Sequence, residues 1–260
     1  MANLGNFPFG QPVKPVIQKD QSPKEVFILG VYASAVHARW LSPEGETLIN
    51  ALAVTSEPEI FWNGTGARKI LAEISIPKES GKLIPADQRF NGPSGRSLDK
   101  KYLEPLGLSR SDTWLCDLYP YAHLNKNQMK AIQRVYLPRM NDLALPQPTI
   151  KSAPTKKPSE ERLEEISKEI QQSRAKVLIL LGDKPIIWFL HSIQPEYKRL
   201  RDFGKNRACY GRVHRMDIHG KEINVLPLVH PRQASSLGKS TAAWTRLHQE
   251  WKENTAGNLL

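Results

Sequence analysis

The sequence predicts an α/β protein, a three-layer α/β/α sandwich with a mainly parallel central sheet. Apolar runs of strand length recur along the chain, and stretches with apolar residues at helical spacing separate them. The runs lack a polar face, which is typical of parallel strands covered on both sides. With 260 residues, of which 40% are hydrophobic, the chain is long enough to bury a substantial core.

The positions of these runs predict the strands and the connections between them. Residues 1–23 are rich in Gly, Pro, Asn and Gln and predict an irregular arm, which one domain follows over residues 24–255. Residues 32–40 predict a loop, residues 41–91 an elaborated connection, and residues 143–158 a connection rich in Pro and Lys. The predicted strands are residues 25–31, 112–118, 176–181 and 223–229.

Helical spacing and capping residues predict the helices. Ser159 is a suitable N-cap, and Glu160 and Glu161 stand in the first turn of the helix that it begins. The predicted helices are residues 66–73, 97–106, 126–137, 159–173, 186–191 and 242–251.

The charge balance favours a polyanionic partner. The chain carries 37 basic and 26 acidic residues, a formal net charge of +11. Such an excess favours nucleic acid first and a membrane surface second. Basic residues concentrate in residues 195–220, where they could contact phosphates or form a solvated basic face.

Cysteine usage and hydropathy exclude several classes of protein. The two cysteines, Cys116 and Cys209, cannot form a disulfide scaffold, a four-thiolate zinc site or an iron–sulfur cluster. The N-terminus has no secretory apolar region, and no apolar run has the length of a membrane span. We therefore expect a cytoplasmic monomer that needs no cofactor or metal and does not bind membranes.

One histidine stands where α/β proteins usually place chemistry. The apolar run 225–229 delivers His230 to the carboxyl end of the last predicted strand, and Pro231 then turns the chain into a small polar loop. Ligands of open α/β sheets bind at this end of the strands. The alternative is a structural histidine that ends a strand and caps a turn.

Segments in a fixed order give the chain a family resemblance. A glycine-ended strand occupies residues 27–34, an F-x-G-x-x-G-x-x-L-D segment residues 90–99, an L-L-G strand end residues 180–182, and a His-Pro loop with Ser235 follows at residue 230. Together they resemble the uracil-DNA glycosylase superfamily, most closely its bacterial iron–sulfur branch. The resemblance covers most of residues 24–252 and implies that superfamily's fold, a DNA partner and base excision.

Two departures from the family pattern stand out. The cysteines that bind the cluster in the iron–sulfur branch are absent, so no metal cluster is expected. Many relatives carry an acidic residue just after the glycine of the first motif, and this chain has Val31 and Tyr32 there. The carboxylate that orients or activates water is missing from its usual place.

The resemblance implies a role for each motif. His230 would donate an imidazole N–H to the pyrimidine O2, where negative charge develops as the base leaves. Phe90 would stack on the flipped base, unless it is a core residue beside a glycine loop. The implied base-binding residues are Gly30, Val31, Tyr32, Ser34, Phe90 and Asp117. The implied DNA-binding residues are Arg232, Ser235, Ser236 and Lys239 on phosphates and Leu237 as a wedge in the base stack.

Asp117 carries the inference about the base. Relatives often have Asn there, which reads uracil because an amide both donates and accepts, whereas an ionised Asp only accepts and suits the exocyclic amine of cytosine. Ser34 stands where strict uracil enzymes have a Tyr that excludes C5 substituents. Both suggest a cytosine-type base enlarged at C5, as in the hypermodified cytosines of some phage genomes. Alternatively, Asp117 replaces Asn structurally or itself orients the water.

The sequence thus predicts a DNA glycosylase that flips a pyrimidine out of DNA and hydrolyses its N-glycosidic bond to leave an abasic site. The base would be a C5-modified cytosine, in antiviral defence, or uracil, in repair. Loss of the first-motif acid favours a second hypothesis, a catalytically silent DNA-binding relative. A third, a nucleotide-handling enzyme unrelated to DNA, is disfavoured by the basic excess.

Overall fold

The structure, a computed structural model, describes residues 4–235 and 242–259. In chain order its strands are β1 (Val26–Tyr32), β2 (Ala35–Leu41), β3 (Thr47–Ser56), β4 (Lys82–Pro85), β5 (Thr113–Tyr119), β6 (Val177–Leu181), β7 (His214–Ile218) and β8 (Lys221–Leu228). Its α-helices are α1 (Ala67–Ala72), α2 (Pro93–Leu98), α3 (Lys126–Ala131), α4 (Glu160–Ser173), α5 (Asp183–Trp188), α6 (Pro231–Ala234) and α7 (Ala242–Asn254).

The chain divides into two compact units. The five-strand unit comprises Ile17–Val31, Ser94–Tyr119 and Lys156–Leu260, and the three-strand unit comprises Met1–Val16, Tyr32–Pro93 and Pro120–Thr155. The boundaries expected from the sequence, one domain over residues 24–255 after an arm, stay a prediction.

The five-strand unit confirms the predicted fold class. Its sheet has the order β5-β1-β6-β8-β7 and is mainly parallel, with β6 parallel to both β1 and β8 and only β7 paired antiparallel to β8. Every residue of β6 is buried, so helices and loops cover both of its faces. The predicted strands agree with β1, β5, β6 and β8 to within two residues at each end.

Helix α4 is held on β5 by Arg162. Ser159 caps the helix as predicted, with its Oγ accepting from the Arg162 N–H at 3.4 Å. The Arg162 guanidinium donates to the Asp117 carbonyl at 2.8 Å and pairs with Glu169 at 3.0 Å. Glu169 in turn accepts from the Trp114 indole N–H of β5 at 3.0 Å. These bonds fix the end of the strand that carries Asp117.

The three-strand unit was not predicted. β2 pairs antiparallel with both β3 and β4, so the loop predicted over residues 32–40 was wrong. Alternation is hidden in β2 because small residues and the polar His37 are buried there together with Trp40. The predicted helix 66–73 is α1, in which Gly66 is the N-cap and Glu73 the C-cap.

The remaining helices follow the sequence with shifted ends. The predicted helix 97–106 begins earlier, with α2, and continues through a π-helical and a 3₁₀ turn to Leu106. The helix 126–137 is α3 extended by similar turns, and the predicted helix 186–191 begins earlier as α5. Helix α7 begins where residues 242–251 predicted and extends to Asn254.

Candidate functional site

His230 stands at the turn between β8 and α6. It is the N-cap of α6, and Pro231 occupies the first helical position, where a missing N–H costs no hydrogen bond. The His230 N–H contacts Gln233 Oε1 at 3.4 Å, and the Gln233 N–H donates to the His230 carbonyl at 2.7 Å. The His230 side chain also accepts from the backbone of the first turn, which completes a capping box and fixes the backbone conformation of the loop.

The environment of His230 defines its protonation. The pKa of His230 is lowered to about 4, first by burial and second by the positive charge of Arg232. The imidazole is therefore neutral at physiological pH. Its Nδ1 accepts from the Arg232 backbone N–H at 3.2 Å, which assigns the proton to Nε2. A neutral Nε2–H donor is the form that the predicted role at a pyrimidine O2 requires.

Gly182 lets the ends of β6 and β8 approach each other. Its N–H donates to the Leu228 carbonyl at 2.7 Å, and its backbone has a φ of 88°. A Cβ built on it would lie 3.2 Å from the His230 Cβ. Both facts explain a glycine here, because other residues rarely adopt this φ and any side chain would crowd His230.

A cavity of about 470 Å³ opens beside these strand ends. It lies at the carboxyl end of the parallel strands, the usual place for ligands in this architecture. Its lining from the strands, α5 and the His230 loop comprises Val31, Leu181, Gly182, Asp183, Lys184, His230, Gln233 and Trp244. His230 and Val31 are thus the predicted site residues that the structure brings to one cavity.

The rest of the cavity lining is basic. Residues 199–205 contribute three cations, Arg199, Arg201 and Lys205, and α5 contributes a fourth, Lys184. The segment is anchored by Asp183 Oδ1, which accepts from the Leu200 N–H at 2.9 Å. Among residues 4–235 and 242–259, no carboxylate pairs within 4.0 Å with Lys184 or Lys205. Their charges favour an anionic ligand beside His230.

Asp117 lies behind the cavity wall. Its side chain is buried (3% exposed), and its carboxylate accepts a hydrogen bond from the Val31 backbone. Burial raises the pKa of Asp117 to about 7, although the Arg162 charge and the Val31 bond oppose the shift. The group is only partly ionised at neutral pH, so it can donate as well as accept. The base-reading role of Asp117 stays a prediction, because Val31 lines the cavity and Asp117 is bonded to the backbone of Val31.

The other predicted base-binding residues have these positions. Gly30 is buried inside β1. Tyr32, Ser34 and Phe90 belong to the three-strand unit, where Ser34 is exposed and Phe90 half-buried. The Arg89 guanidinium stacks over the Phe90 ring at 4.9 Å from its centroid, so one face of that ring already has a cation.

The glycine-rich segment after Phe90 is anchored in the three-strand unit. Buried Asn91 accepts from the His37 N–H at 2.7 Å and donates to the His37 carbonyl at 2.9 Å, as a neighbouring strand would. Gly92 has a φ of 69°, and a Cβ there would lie 2.1 Å from the Asn63 backbone. The glycine of the F-x-G pattern is therefore required by backbone contact.

Of the predicted phosphate-binding residues, two can be placed. Arg232 is exposed, while the Ser235 hydroxyl is bonded to Ser97 Oγ at 2.8 Å. Ser236, Leu237 and Lys239 lie outside the described residues.

Sequence reasoning missed several groups near the predicted motifs. Lys184, Gln233 and Trp244 line the cavity, but their spacing carried no signal because three separate segments contribute them. In the three-strand unit, the buried Glu57 accepts from the Ser34 N–H at 2.9 Å. This places a carboxylate on the loop whose own acid is missing, and only the pairing of β2 with β3 reveals it.

No group of side chains suited to holding a metal ion occurs among residues 4–235 and 242–259, and both cysteines are free. Over the same part of the chain, no helix has the length and apolar character needed to span a membrane.

Comparison with known proteins supports the family resemblance. The family model described as the uracil DNA glycosylase superfamily matches residues 78–252, about two thirds of the chain. This match includes the F-x-G segment, Asp117, the L-L-G strand end and the His230 loop. A search of curated proteins finds no match.

The raised pKa of Asp117 predicts a pH-dependent stability difference. The pKa of Asp117 is near 4 in the unfolded chain and about 7 in the folded protein. The folded protein therefore loses stability as the pH rises from about 4 to about 7, because the buried carboxyl resists ionisation. Asp117→Asn cannot ionise, so we expect it to raise the free energy of unfolding at about pH 8 by up to about 4 kcal/mol and hardly at about pH 4. Urea denaturation at both pH values measures this, with the exposed Asp142→Asn as the control for a lost charge. A gain equal at both pH values would contradict it.

Proposed function

Because the chain belongs to the uracil-DNA glycosylase superfamily, we propose that it excises a pyrimidine base from DNA by hydrolysing the N-glycosidic bond. Membership of this superfamily suggests DNA glycosylase activity. The observation that carries the proposal is the neutral His230, which lines a basic cavity at the carboxyl ends of β6 and β8.

The chemistry follows from what each group can supply. As the glycosidic bond breaks, the sugar becomes oxocarbenium-like and the base becomes anionic. An Nε2–H donor that is already neutral and fixed stabilises charge on the departing base without a proton transfer. Lys184, Arg199, Arg201 and Lys205 attract the phosphates of the strand.

Water activation requires a base, and Asp117 is our candidate. A carboxyl with a pKa near the working pH balances the fraction ionised against basic strength. Asp117 is bonded to Val31, the residue that stands where relatives carry the acid. We therefore propose that the attacking water lies beside Val31, which lines the cavity and whose backbone is bonded to Asp117.

For the substrate, we propose a cytosine enlarged at C5, in cytoplasmic defence against modified foreign DNA, with uracil as the other option. The family resemblance supports this choice, because the small Ser34 stands where strict uracil enzymes have a Tyr that excludes C5 substituents. Asp117 offers an acceptor for an exocyclic amine in its ionised form.

A second candidate function is DNA binding without catalysis. The apolar Val31 lines the cavity at the position of the missing acid, and this observation favours it. The two functions differ in whether an abasic site forms.

A panel of substrates tests the proposal. Single-stranded and duplex oligonucleotides would each carry one uracil, hypoxanthine, cytosine or C5-substituted cytosine. We expect alkali-labile strand scission on C5-substituted cytosine or uracil DNA, because an abasic site breaks under alkali. Binding to every oligonucleotide with no scission on any would establish the silent alternative.

His230→Ala should separate catalysis from binding. Removing one oxyanion-type donor is expected to lower the single-turnover excision rate by roughly 10²- to 10³-fold while DNA affinity stays nearly constant. The matched control is His219→Asn, an exposed histidine in the turn between β7 and β8, where Asn tolerates the φ of 52°. An unaltered excision rate in His230→Ala would remove the role given to it.

Asp117→Asn tests how the base is read. At about pH 8 the carboxyl of Asp117 is mostly ionised and only accepts, whereas an amide both donates and accepts. We therefore expect the ratio of kcat/KM for uracil over C5-substituted cytosine to rise about 10-fold at that pH, which corresponds to one net hydrogen bond. Loss of activity on both bases with an unchanged ratio would instead support water activation by Asp117. Asp142→Asn again serves as the control variant.

A further inference from the structure

Buried tyrosine hydroxyls hold the residue that precedes His230. The Val229 N–H donates to the Tyr210 hydroxyl at 3.2 Å, and the Tyr102 hydroxyl donates to the Val229 carbonyl at 2.8 Å. Tyr102 and Tyr210 are 0% and 4% exposed. Both polar groups of the Val229 backbone, beyond the end of β8, are thus bonded to side chains rather than to a neighbouring strand.

His248 completes this network from α7. Its Nε2 lies 3.0 Å from the Lys101 carbonyl, which only accepts, so Nε2 carries a proton. Its Nδ1, 2.7 Å from the Tyr210 oxygen, therefore accepts the Tyr210 hydroxyl proton. Burial lowers the pKa of His248 to about 4, which keeps the ring neutral. The direction of every hydrogen bond from Lys101 to Val229 is therefore defined.

Other elements hold the carbonyls that follow His230. Ser97 Oγ donates to the Pro231 carbonyl at 3.0 Å, and Lys101 Nζ donates to the Ala234 carbonyl at 2.7 Å. Thr245 of α7 donates to the Gln233 carbonyl at 2.9 Å. The loop that carries His230 is thus fixed from outside at several backbone positions.

We propose that Tyr102, Tyr210 and His248 are positioning residues for His230: they fix the Val229 backbone so that the imidazole keeps one orientation. For its effect on catalysis, this inference rests on the proposed glycosylase function. A donor must meet developing charge within a fraction of an ångström, and small misplacements cost large factors in rate. Since the tyrosines bind backbone atoms one residue away, loss of either hydroxyl acts on the ring through a single peptide unit.

Tyr210→Phe and Tyr102→Phe test the inference against a matched control. Tyr136 of the three-strand unit is also fully buried, and its hydroxyl likewise bonds two backbone groups, the Phe9 N–H and the Pro146 carbonyl, both at 2.9 Å. Tyr136→Phe therefore reproduces the loss of a buried hydroxyl without removing a hydrogen bond to Val229. We expect the first two variants to lower the single-turnover excision rate on the order of 10- to 100-fold, with DNA affinity unchanged, and Tyr136→Phe to leave the rate unaltered.

A second readout needs no substrate. The Arg232 amide is bonded to His230 Nδ1, so its hydrogen exchange reports whether the ring keeps its place. We expect the Arg232 amide hydrogen to exchange roughly 10-fold faster in Tyr210→Phe or Tyr102→Phe than in Tyr136→Phe. The comparison is made at temperatures equally far below the Tm of each variant. If the unaltered protein excises no base but the amide exchange is faster in these variants, the positioning role is supported and the glycosylase function is rejected. Exchange and excision like those of Tyr136→Phe would overturn the positioning role.

Discussion

The candidate site depends on the parallel pairing of β6 with β8. The register places Leu181 beside Leu228, and it brings Gly182, one residue further, close to His230, two residues further. At this edge the strands end, no further ladder bonds form, and the cavity opens. The bond from the Gly182 N–H to the Leu228 carbonyl closes the ladder, and the glycine's positive φ turns the chain into α5. A side chain at residue 182 would crowd His230, whose Cβ would have to shift by a few tenths of an ångström.

Burial then sets the charge of the groups that the pairing assembles. Loss of hydration disfavours the imidazolium of His230 and the carboxylate of Asp117 alike, so both move toward their neutral forms. The cations of the cavity lie on α5 and the segment 199–205, outside the sheet. The five-strand unit thus combines a neutral hydrogen-bond donor with surrounding positive charges. The positive charges suit the phosphates of DNA, and the neutral donor suits a base that becomes anionic only as its bond breaks.

Polar side chains take over backbone bonding at two of the motif loops. Asn91 pairs with His37 as a strand would, and Tyr102 and Tyr210 pair with Val229. Buried peptide groups need partners, and an irregular loop cannot supply them from its own backbone. Each of these side chains therefore gives a motif loop a single conformation. The sequence alone does not reveal these contacts, because the side chain that binds each loop lies far from that loop in the sequence.

The sequence by itself determined four of the five strands of the larger sheet and the identity of its motifs, but it did not predict the antiparallel strand β7. Apolar runs of strand length specify β1, β5, β6 and β8, because strands covered on both faces are rich in apolar residues, although β5 also buries Asp117. Ser159 and Pro231 specify helix starts through local geometry. The tertiary structure decided what local pattern could not. Strands β2, β3 and β4 arise from long-range pairing of half-exposed or small residues, and Glu57 meets Ser34 only through that pairing. The charge of Asp117 and His230 was likewise undecided, because desolvation depends on which distant residues surround a group and not on its neighbours in the chain.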